Sequence, residues 1–229
     1  PMFTKCCFVD DSVDVELSLE AKHLIGISPI GDASKFELDN EHEDERSTTQ
    51  AIASRLFTVK VQKLPDEHLG VILDTVGQIL VVGEIQATGA IHRYSRDNPA
   101  LEVRRGDQVM QVNGFRGHCR EVIEQLKLDS VELVFQHPRE YTVVVEKAGK
   151  PLGLTLNFNK MFGAFGLVVT DVSRHGAVHQ YNEANPDCEV QAGHRIVAVE
   201  GTTGAPPVLL EKLKSSDTLT ISFVAWDLD

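Results

Sequence analysis

The stretch HGAVHQYNEANPDCEVQAGHRIVAVEG, residues 175–201, decides how this chain is organised, because residues 88–114, TGAIHRYSRDNPALEVRRGDQVMQVNG, repeat its pattern. Each copy has a Gly-Ala pair, then a Tyr, Asn-Pro, a Val, a Gly and a closing Val-x-Gly. The matching positions are all 87 residues apart: Gly89/Gly176, Ala90/Ala177, Tyr94/Tyr181, Asn98/Asn185, Pro99/Pro186, Val103/Val190, Gly106/Gly193, Val112/Val199 and Gly114/Gly201. Chance composition would not give this agreement, so the chain contains a tandem repeat.

Length and composition agree with two domains. At 229 residues the chain can bury two small cores. Its hydrophobic fraction of 42% and charged fraction of 24% are typical of a soluble globular protein. No apolar run reaches the ~18 residues of a membrane-spanning helix, and no intact signal peptide is visible, although Pro1 leaves a processed or trimmed start open. Four cysteines form neither a disulfide framework nor a metal-ligand spacing. We therefore expect a soluble protein of the cytoplasm or an organelle interior, in a reducing environment.

The net charge of −12 lies mainly outside the repeats, since residues 1–55 hold 12 acidic side chains against 5 basic ones. An acidic chain is repelled by nucleic-acid phosphates and by anionic lipid surfaces. We therefore predict protein partners and no nucleic acid. Peripheral association with a membrane complex, through a partner, stays open.

Residues 1–55 read as an acidic N-terminal extension. Val13, Val15, Leu17 and Leu19 alternate with polar residues, which is typical of a half-buried strand. A strand of this kind cannot form a core alone, so it either adds to the sheet of a repeat or docks on another protein. If it occupied the groove of the first repeat, that repeat would be closed to peptides. The adjacent Cys6 and Cys7 leave palmitoylation open.

Both repeats predict the same order of elements. A strand of alternating apolar residues is followed by a Leu-Gly turn, Leu69-Gly70-Val71 or Leu152-Gly153-Leu154. Glycine there allows a sharp turn with uncovered amides, which suits a carboxylate. Two strands, a short helix opened by Gly-Ala, a fourth strand, an amphipathic helix and a closing strand complete each copy. The predicted domains are 57–136 and 141–224, with an extension of 1–55, a linker of 137–140 and a tail of 225–229.

This order of elements resembles a PDZ domain, present twice. The most specific residues are Arg105-Gly106-Asp107-Gln108-Val109 with Val112-Asn113-Gly114, together with the two Leu-Gly turns. The resemblance covers about 70% of the chain, and the long connection from Asn-Pro to Gly-Asp is similar to PDZ-like repeats of unicellular algae and other protists. It implies a mainly β fold with short helices (α+β), built as two PDZ-like, partly open β-barrels in tandem.

The resemblance also implies peptide binding by strand addition. An extended C-terminal or internal segment would pair with the strand after the Leu-Gly turn, and the last helix would form the opposite wall. The implied peptide-binding residues are Leu69, Gly70, Val71, Cys119, Ile123 and Leu126 in one copy, and Leu152, Gly153, Leu154, Pro206, Leu210 and Leu213 in the other. Cys119 and Pro206 stand where many family members have a His that receives a ligand hydroxyl, so apolar or atypical ligands are favoured.

The second copy departs from the first at several positions. His194 replaces Asp107 and Glu200 replaces Asn113, which should weaken the turn chemistry of the second copy. Its loop between the second and third strands carries Phe162 and Phe165. This apolar loop tip either packs on its own domain or docks into a neighbouring subunit.

No motif for catalysis is present: we find no nucleophile elbow, phosphate loop, dinucleotide fingerprint or zinc helix. We predict no enzyme, no metal and no cofactor. One hypothesis is a scaffold or adaptor that binds peptides in PDZ grooves. The alternative is a constitutive peripheral subunit of a larger complex, for example a membrane-bound photosynthetic one, whose grooves are not used. A third, a regulatory PDZ part of a protease system, lacks any protease domain in these residues.

Overall fold

The computed structural model of the chain describes residues 55–77, 79–116, 120–160 and 163–226, and the backbone of residues 12–16. These residues form two antiparallel sheets with four short α-helices between strands. The prediction of a mainly β fold with short helices is confirmed, and neither sheet closes into a barrel.

The first sheet belongs to the first copy, called repeat 1 below. Its strands are β2 (Leu56–Gln62), β3 (Val71–Asp74), β4 (Leu80–Ile85), β5 (Gln108–Val112) and β6 (Ser130–Gln136), and its helices are α1 (Ala90–Asp97) and α2 (Arg120–Leu126). The strand order is β2-β6-β5-β4-β3, so β3 lies at one edge of the sheet.

The second sheet contains the second copy, repeat 2, and one strand from the extension. Its strands are β1 (Ser12–Glu16), β7 (Arg139–Glu146), β8 (Leu154–Asn159), β9 (Leu167–Val172), β10 (Arg195–Val199), β11 (Thr202–Thr203) and β12 (Thr218–Ala225), and its helices are α3 (Ala177–Ala184) and α4 (Pro206–Lys214). The order β1-β8-β9-β10-β12-β7 places β8, the equivalent of β3, beside β1, while β11 pairs with β10.

Alternating apolar residues explain why these strands form. In β8, Leu154, Leu156 and Phe158 are buried and the residues between them are partly exposed, which is the period of a strand with one face on a core. Each repeat has its own apolar core, one containing Phe135 and the other containing Phe223. Short 3₁₀ turns follow both first helices, because Pro99 and Pro186 cannot continue an α-helix.

The packed structure extends slightly beyond the predicted repeat limits. Strand β2 begins at Leu56 and β7 at Arg139, which leaves His137 and Pro138 between the sheets. Strand β12 ends at Ala225, and the following Trp226 is buried. Residues 225 and 226, predicted to be tail, therefore belong to the folded structure.

Part of the N-terminal extension forms strand β1. It pairs antiparallel with β8, with Ser12 opposite Asn159 and Glu16 opposite Thr155. Of the two alternatives drawn from the sequence, docking on another protein or addition to the sheet of a repeat, this strand follows the second. The sequence analysis considered the groove of repeat 1, whereas β1 pairs with the sheet of repeat 2.

A buried ion pair joins the two repeats. The guanidinium of Arg195 donates from Nη1 to Oδ2 of Asp74 at 2.6 Å, and both side chains are 1% exposed. Arg195 also donates to the carbonyl oxygens of Phe165 and Val76, at 3.0 and 2.6 Å. The amide of Phe165 donates to the same Asp74 carboxylate at 2.8 Å. This network holds the β8–β9 loop of repeat 2 against the end of β3 in repeat 1.

Apolar side chains surround that network. Val81 of repeat 1 packs with Val224 and Trp226 of repeat 2, and Phe165 lies edge-on to Trp226 with 6.4 Å between ring centres. The backbones approach so closely that a Cβ on Gly83 would lie 1.7 Å from the carbonyl oxygen of Gly163. The two repeats therefore have a fixed mutual orientation, set by buried contacts as well as by the short connection.

Among the helices in the described ranges, none is both long and apolar enough to cross a membrane.

Candidate functional site: two strand-edge grooves

We call the space between β3 and α2 groove 1, and the equivalent space between β8 and α4 groove 2. Both begin at a Leu-Gly turn whose glycine has positive φ, +83° at Gly70 and +78° at Gly153. There is also no space for a side chain at either glycine. An added Cβ would lie 2.5 Å from Thr88 O at Gly70, and 2.5 Å from the Gly176 Cα at Gly153. This contact explains the Gly-Ala pair shared by both copies: its glycine packs against the glycine of the Leu-Gly turn.

The first helix of each repeat fixes the direction of this turn. In repeat 1, the amides of Ala90 and Ile91 donate to the carbonyl oxygens of His68 and Leu69, both at 3.0 Å. In repeat 2, Ala177 and Val178 donate to Pro151 and Leu152, at 2.9 and 3.1 Å. The turn carbonyls therefore face the helix. No described residue accepts a hydrogen bond from the amide of Leu69, Gly70, Leu152 or Gly153, so these amides could receive an anionic group.

The two grooves differ in how far their apolar walls are covered. In groove 1, Val71, Leu73, Ile123 and Leu126 are all half-buried. In groove 2, the equivalent strand residues Leu154 and Leu156 are 1% and 0% exposed, and Leu213, the counterpart of Leu126, is 1% exposed. The apolar wall of groove 1 is thus partly exposed, whereas the equivalent wall of groove 2 is buried.

Strand β1 occupies the open edge of groove 2. Its register sets Val13 opposite Phe158 and Val15 opposite Leu156, both buried residues of β8, while Asp14 lies opposite the half-buried Asn157. Apolar positions of β1 therefore match apolar positions of β8. The strand direction is antiparallel, and no equivalent strand pairs with the outer edge of β3 among the described residues.

A lysine in each repeat holds the helical wall of the groove. Lys63 follows β2 and donates from Nζ to the Leu126 carbonyl oxygen at 2.7 Å; Lys147 follows β7 and donates to Leu213 O at 2.8 Å. A cation at a helix C-terminus is stabilised by the helix dipole. Burial lowers the pKa of both lysines. These residues were not singled out in the sequence, although their separation of 84 residues equals that of Phe57 and Tyr141.

Repeat 1 alone has an ion pair behind its Leu-Gly turn. Arg93 of α1 donates from Nη2 to Glu67 Oε2 at 2.8 Å, and Glu67 also accepts the amide of Leu64 at 2.8 Å. Hydrogen bonding to Arg93 lowers the pKa of Glu67 to about 2. Lys150 and Gln180 stand at the equivalent positions of repeat 2, so this pair is specific to groove 1.

The turns of repeat 2 keep their side-chain hydrogen bonds although His194 and Glu200 replace Asp107 and Asn113. Asp107 accepts the amide of Arg104 at 2.7 Å, and His194 Nδ1 accepts the equivalent amide, that of Gln191, at 3.1 Å. Glu200 Oε1 accepts the amide of Thr220 just as Asn113 Oδ1 accepts that of Glu132. Both replacements keep the turn contact because a different acceptor atom reaches the same amide.

The structure places the predicted site residues as follows. The Leu-Gly turns, Ile123, Leu126, Leu210 and Leu213 lie around the two grooves, and Pro206 is buried at the first position of α4. Val13 and Val15 lie in β1. Phe165, a predicted docking residue, packs between the two repeats of its own chain. Four predicted positions lie outside the described residues: Leu17, Leu19, Cys119 and Phe162.

The described residues contain no group of three or more His, Cys, Asp or Glu side chains that could hold a metal ion.

Comparison with known proteins gives similarity in structure only. No protein-family model matches the chain, and no curated protein matches it. A solved structure of INAD PDZ45 with an NG2 peptide is 18% identical over 76% of this chain and 90% of that chain, with a TM-score of 0.33. INAD PDZ45 with NORPA CC-PBM gives 18% identity over 75% and 93%, with a TM-score of 0.35. MUPP1 PDZ4 gives 17% identity over 42% and 96%, with a TM-score of 0.31. Similarities this low do not indicate what this chain binds.

Proposed function

We propose that this chain is a non-enzymatic protein–protein interaction protein whose groove 1 binds an extended peptide segment of a partner by strand addition. The observation that carries the proposal is the pairing of β1 with β8. The chain itself adds an extended segment to the edge strand after the Leu-Gly turn. Groove 1 is built on the same plan.

Three features of groove 1 support a peptide ligand. The edge of β3 would offer backbone donors and acceptors to an added strand. The half-buried Val71, Leu73, Ile123 and Leu126 would bury apolar ligand side chains. The amides of Leu69 and Gly70 would bind a terminal carboxylate or another anionic group. A site of this size gives affinities of about micromolar order.

Two features that favoured the alternative of an assembly subunit no longer favour it. Strand β1 and Phe165, which could have docked on a neighbouring protein, have partners inside the chain. It remains the second candidate, in which partners contact other surfaces of the protein and groove 1 stays empty.

The test is a display library of C-terminal and internal peptides, selected on the intact chain and followed by titration of the selected peptides. Ile123→Lys places a charge on the helical wall of groove 1, and Leu210→Lys is the matched control at the equivalent position of groove 2. We expect Ile123→Lys to abolish binding and Leu210→Lys to retain it. Peptides that bind Ile123→Lys as tightly as the unaltered chain, or a library that yields no binder, would overturn the proposal.

A further inference from the structure

The two faces of strand β3 contact different parts of the molecule. Val71 and Leu73 pack on the core of repeat 1 and line groove 1. Ile72 and Asp74 alternate with them and point away from the groove, because successive side chains of a strand face opposite sides. A Cβ added at Gly163 of repeat 2 would lie 2.6 Å from Cγ2 of Ile72, and Asp74 belongs to the ion pair between the repeats. Repeat 2 therefore supports β3 on the face opposite to groove 1.

The pairing of β3 with β4 contains a bulge at Gly83. Ile72 lies opposite Glu84 and Leu73 opposite Val82, so the register passes over Gly83. A bulge bends a strand and interrupts the regular ladder of hydrogen bonds. Strand β3 has four residues and lies at the edge of its sheet. The pairing with β4 alone thus holds this edge strand weakly.

Repeat 2 packs directly on the bulge. A Cβ at Gly83 would overlap the carbonyl group of Gly163. Arg105, which precedes β5, donates from Nε to the carbonyl oxygen of Gly83 and from Nη2 to that of Ala164, both at 2.8 Å. Its guanidinium lies 5.4 Å from the centre of the Phe165 ring. One arginine side chain therefore connects the bulge of repeat 1 to the β8–β9 loop of repeat 2.

The end of β3 is fixed by the buried ion pair. Asp74 Oδ2 accepts hydrogen bonds from Arg195 and from the amide of Phe165, both in repeat 2. Asp74 Oδ1 accepts the amide of Val76 at 3.0 Å, and the carbonyl oxygen of Val76 accepts Nη2 of Arg195. Repeat 2 thus holds β3 at its end as well as at the bulge.

We infer that repeat 2 positions β3 for ligand binding, so that the affinity of groove 1 depends on the packing of the two repeats. Arg195 and Gly163 are positioning residues, because they contact the outer face of the strand whose other face lines groove 1. An edge strand that is already ordered loses less freedom when a ligand strand is added, which raises affinity. This inference rests on the proposed function of groove 1, and it makes the tandem the binding unit.

Two variants of the full chain weaken the contact at the bulge without changing a residue that lines groove 1. Gly83→Ala places a Cβ against the backbone of Gly163, and Gly83 has no positive φ that alanine would strain. Arg105→Met removes both hydrogen bonds of the guanidinium and keeps a long apolar side chain. Arg104→Met is the matched control, since Arg104 pairs with Glu102 of the same repeat.

Calorimetric titration uses a peptide that is selected on the unaltered chain and does not bind Ile123→Lys. We expect Arg105→Met to raise the Kd about two- to tenfold, the net contribution of one hydrogen bond. Gly83→Ala should raise the Kd by about fivefold or more, which is typical of coupling between two sites. Arg104→Met should bind like the unaltered chain. If Gly83→Ala does not fold, Arg105→Met and its control decide the question.

Hydrogen exchange on the ligand-free variants separates positioning from a general loss of stability. Strand β6 lies between β2 and β5, so its amides report global unfolding. We expect Arg105→Met and Gly83→Ala to increase exchange in β3 more than in β6. An equal increase in both strands would overturn positioning, because the weaker binding would then follow from lost stability.

The titrations distinguish this inference from the proposed function on which it rests. A Kd that is unchanged in Gly83→Ala and in Arg105→Met would overturn positioning by repeat 2 and leave peptide binding in groove 1 intact. A Kd that rises as much in Arg104→Met as in Arg105→Met would also overturn it, because lost positive charge would then be the cause. A library without any binder would overturn the proposed function, and this inference with it.

Discussion

Asp74 and Arg195 are 121 positions apart in the sequence and form an ion pair of 2.6 Å in which each side chain is 1% exposed. Each residue lies in a different repeat, so the pair forms only when both repeats are folded and packed together. Together with the apolar contacts of Val81, Val224 and Trp226, it joins the two repeats into one packed unit.

We expect Asp74→Asn to destabilise the protein by about 3–5 kcal/mol, because it leaves the buried charge of Arg195 without a counter-ion. Glu132→Gln, which removes the exposed pair with Lys60, is the control and should cost less than about 1 kcal/mol. Urea unfolding of both variants measures the difference. We also expect the single unfolding transition of the unaltered chain to separate into two in Asp74→Asn. An unchanged midpoint would contradict the structural role of the pair.

The Leu-Gly turn gives a second prediction, based on the steric contact at Gly70. Gly70→Ala adds a Cβ 2.5 Å from the Thr88 carbonyl oxygen at a φ of +83°. Gly149→Ala is the matched control, since Gly149 has a φ of +77° but no atom within 4 Å of the added Cβ. The control should lose about 1–2 kcal/mol of stability from backbone strain alone. Gly70→Ala should lose a further 1–3 kcal/mol, roughly, from overpacking.

Thermal unfolding at neutral pH would compare these two glycine variants. Equal losses would mean that the turn moves away from Thr88 without cost, and the close packing of Gly70 on the Gly-Ala pair would then not matter for stability.

The pair of Glu67 and Arg93 predicts a pH dependence. The hydrogen bond from Arg93 lowers the pKa of Glu67 from its ordinary value of 4.5 to about 2. A depressed pKa means that the folded state favours the charged carboxylate, so its stabilisation is present above pH 4.5 and is lost as the pH falls through about 2. Arg93→Met should raise the pKa of Glu67 towards 4.5.

An NMR titration of the Glu67 carboxyl carbon measures this shift. Arg96→Met is the control, because Arg96 pairs with Asp97 and not with Glu67. A Glu67 titration that is the same in Arg93→Met and in the unaltered chain would contradict the assignment of the shift to Arg93.

The occupancy of groove 2 can be observed directly by hydrogen exchange on the intact chain. We expect the amides of β8 to exchange slowly, because strands lie on both of its sides, and those of the edge strand β3 to exchange faster. The double substitution Asp14→Pro with Val15→Pro should increase exchange in β8 and leave β12, in the middle of the same sheet, unchanged. Exchange in β8 that does not respond to the substitution would contradict the pairing with β1.

Most of the fold could be predicted from the sequence, because both copies repeat the same pattern of apolar residues and glycines. The order of strands and helices in each copy is the predicted one, and the Leu-Gly turns lie directly before β3 and β8. The sequence could not predict which repeat β1 pairs with, since the alternation of Val13 and Val15 fits either groove. Only the register of β1 and the buried wall of groove 2 distinguish the two grooves.

The buried ion pair between the repeats could not be predicted from the repeat pattern because it lies at positions where the copies differ. Arg195 stands in the apolar strand β10, where repeat 1 has Gln108, and Asp74 stands where repeat 2 has Asn157. The sequence does contain one sign of the contact, which is a charged residue at an apolar strand position in one copy but not in the other. It indicates a partner outside the domain, because an isolated buried charge is too costly to retain.

The same asymmetry gives the contact between the two repeats a direction. Identical docking residues in both copies would leave a free acidic face on one repeat and a free arginine face on the other, and further copies could attach head to tail without end. Here repeat 2 carries an amide at the acidic position and repeat 1 an amide at the arginine position. Because only repeat 1 has the carboxylate and only repeat 2 has the guanidinium, the buried ion pair forms in one arrangement of the two copies and not in the reverse one.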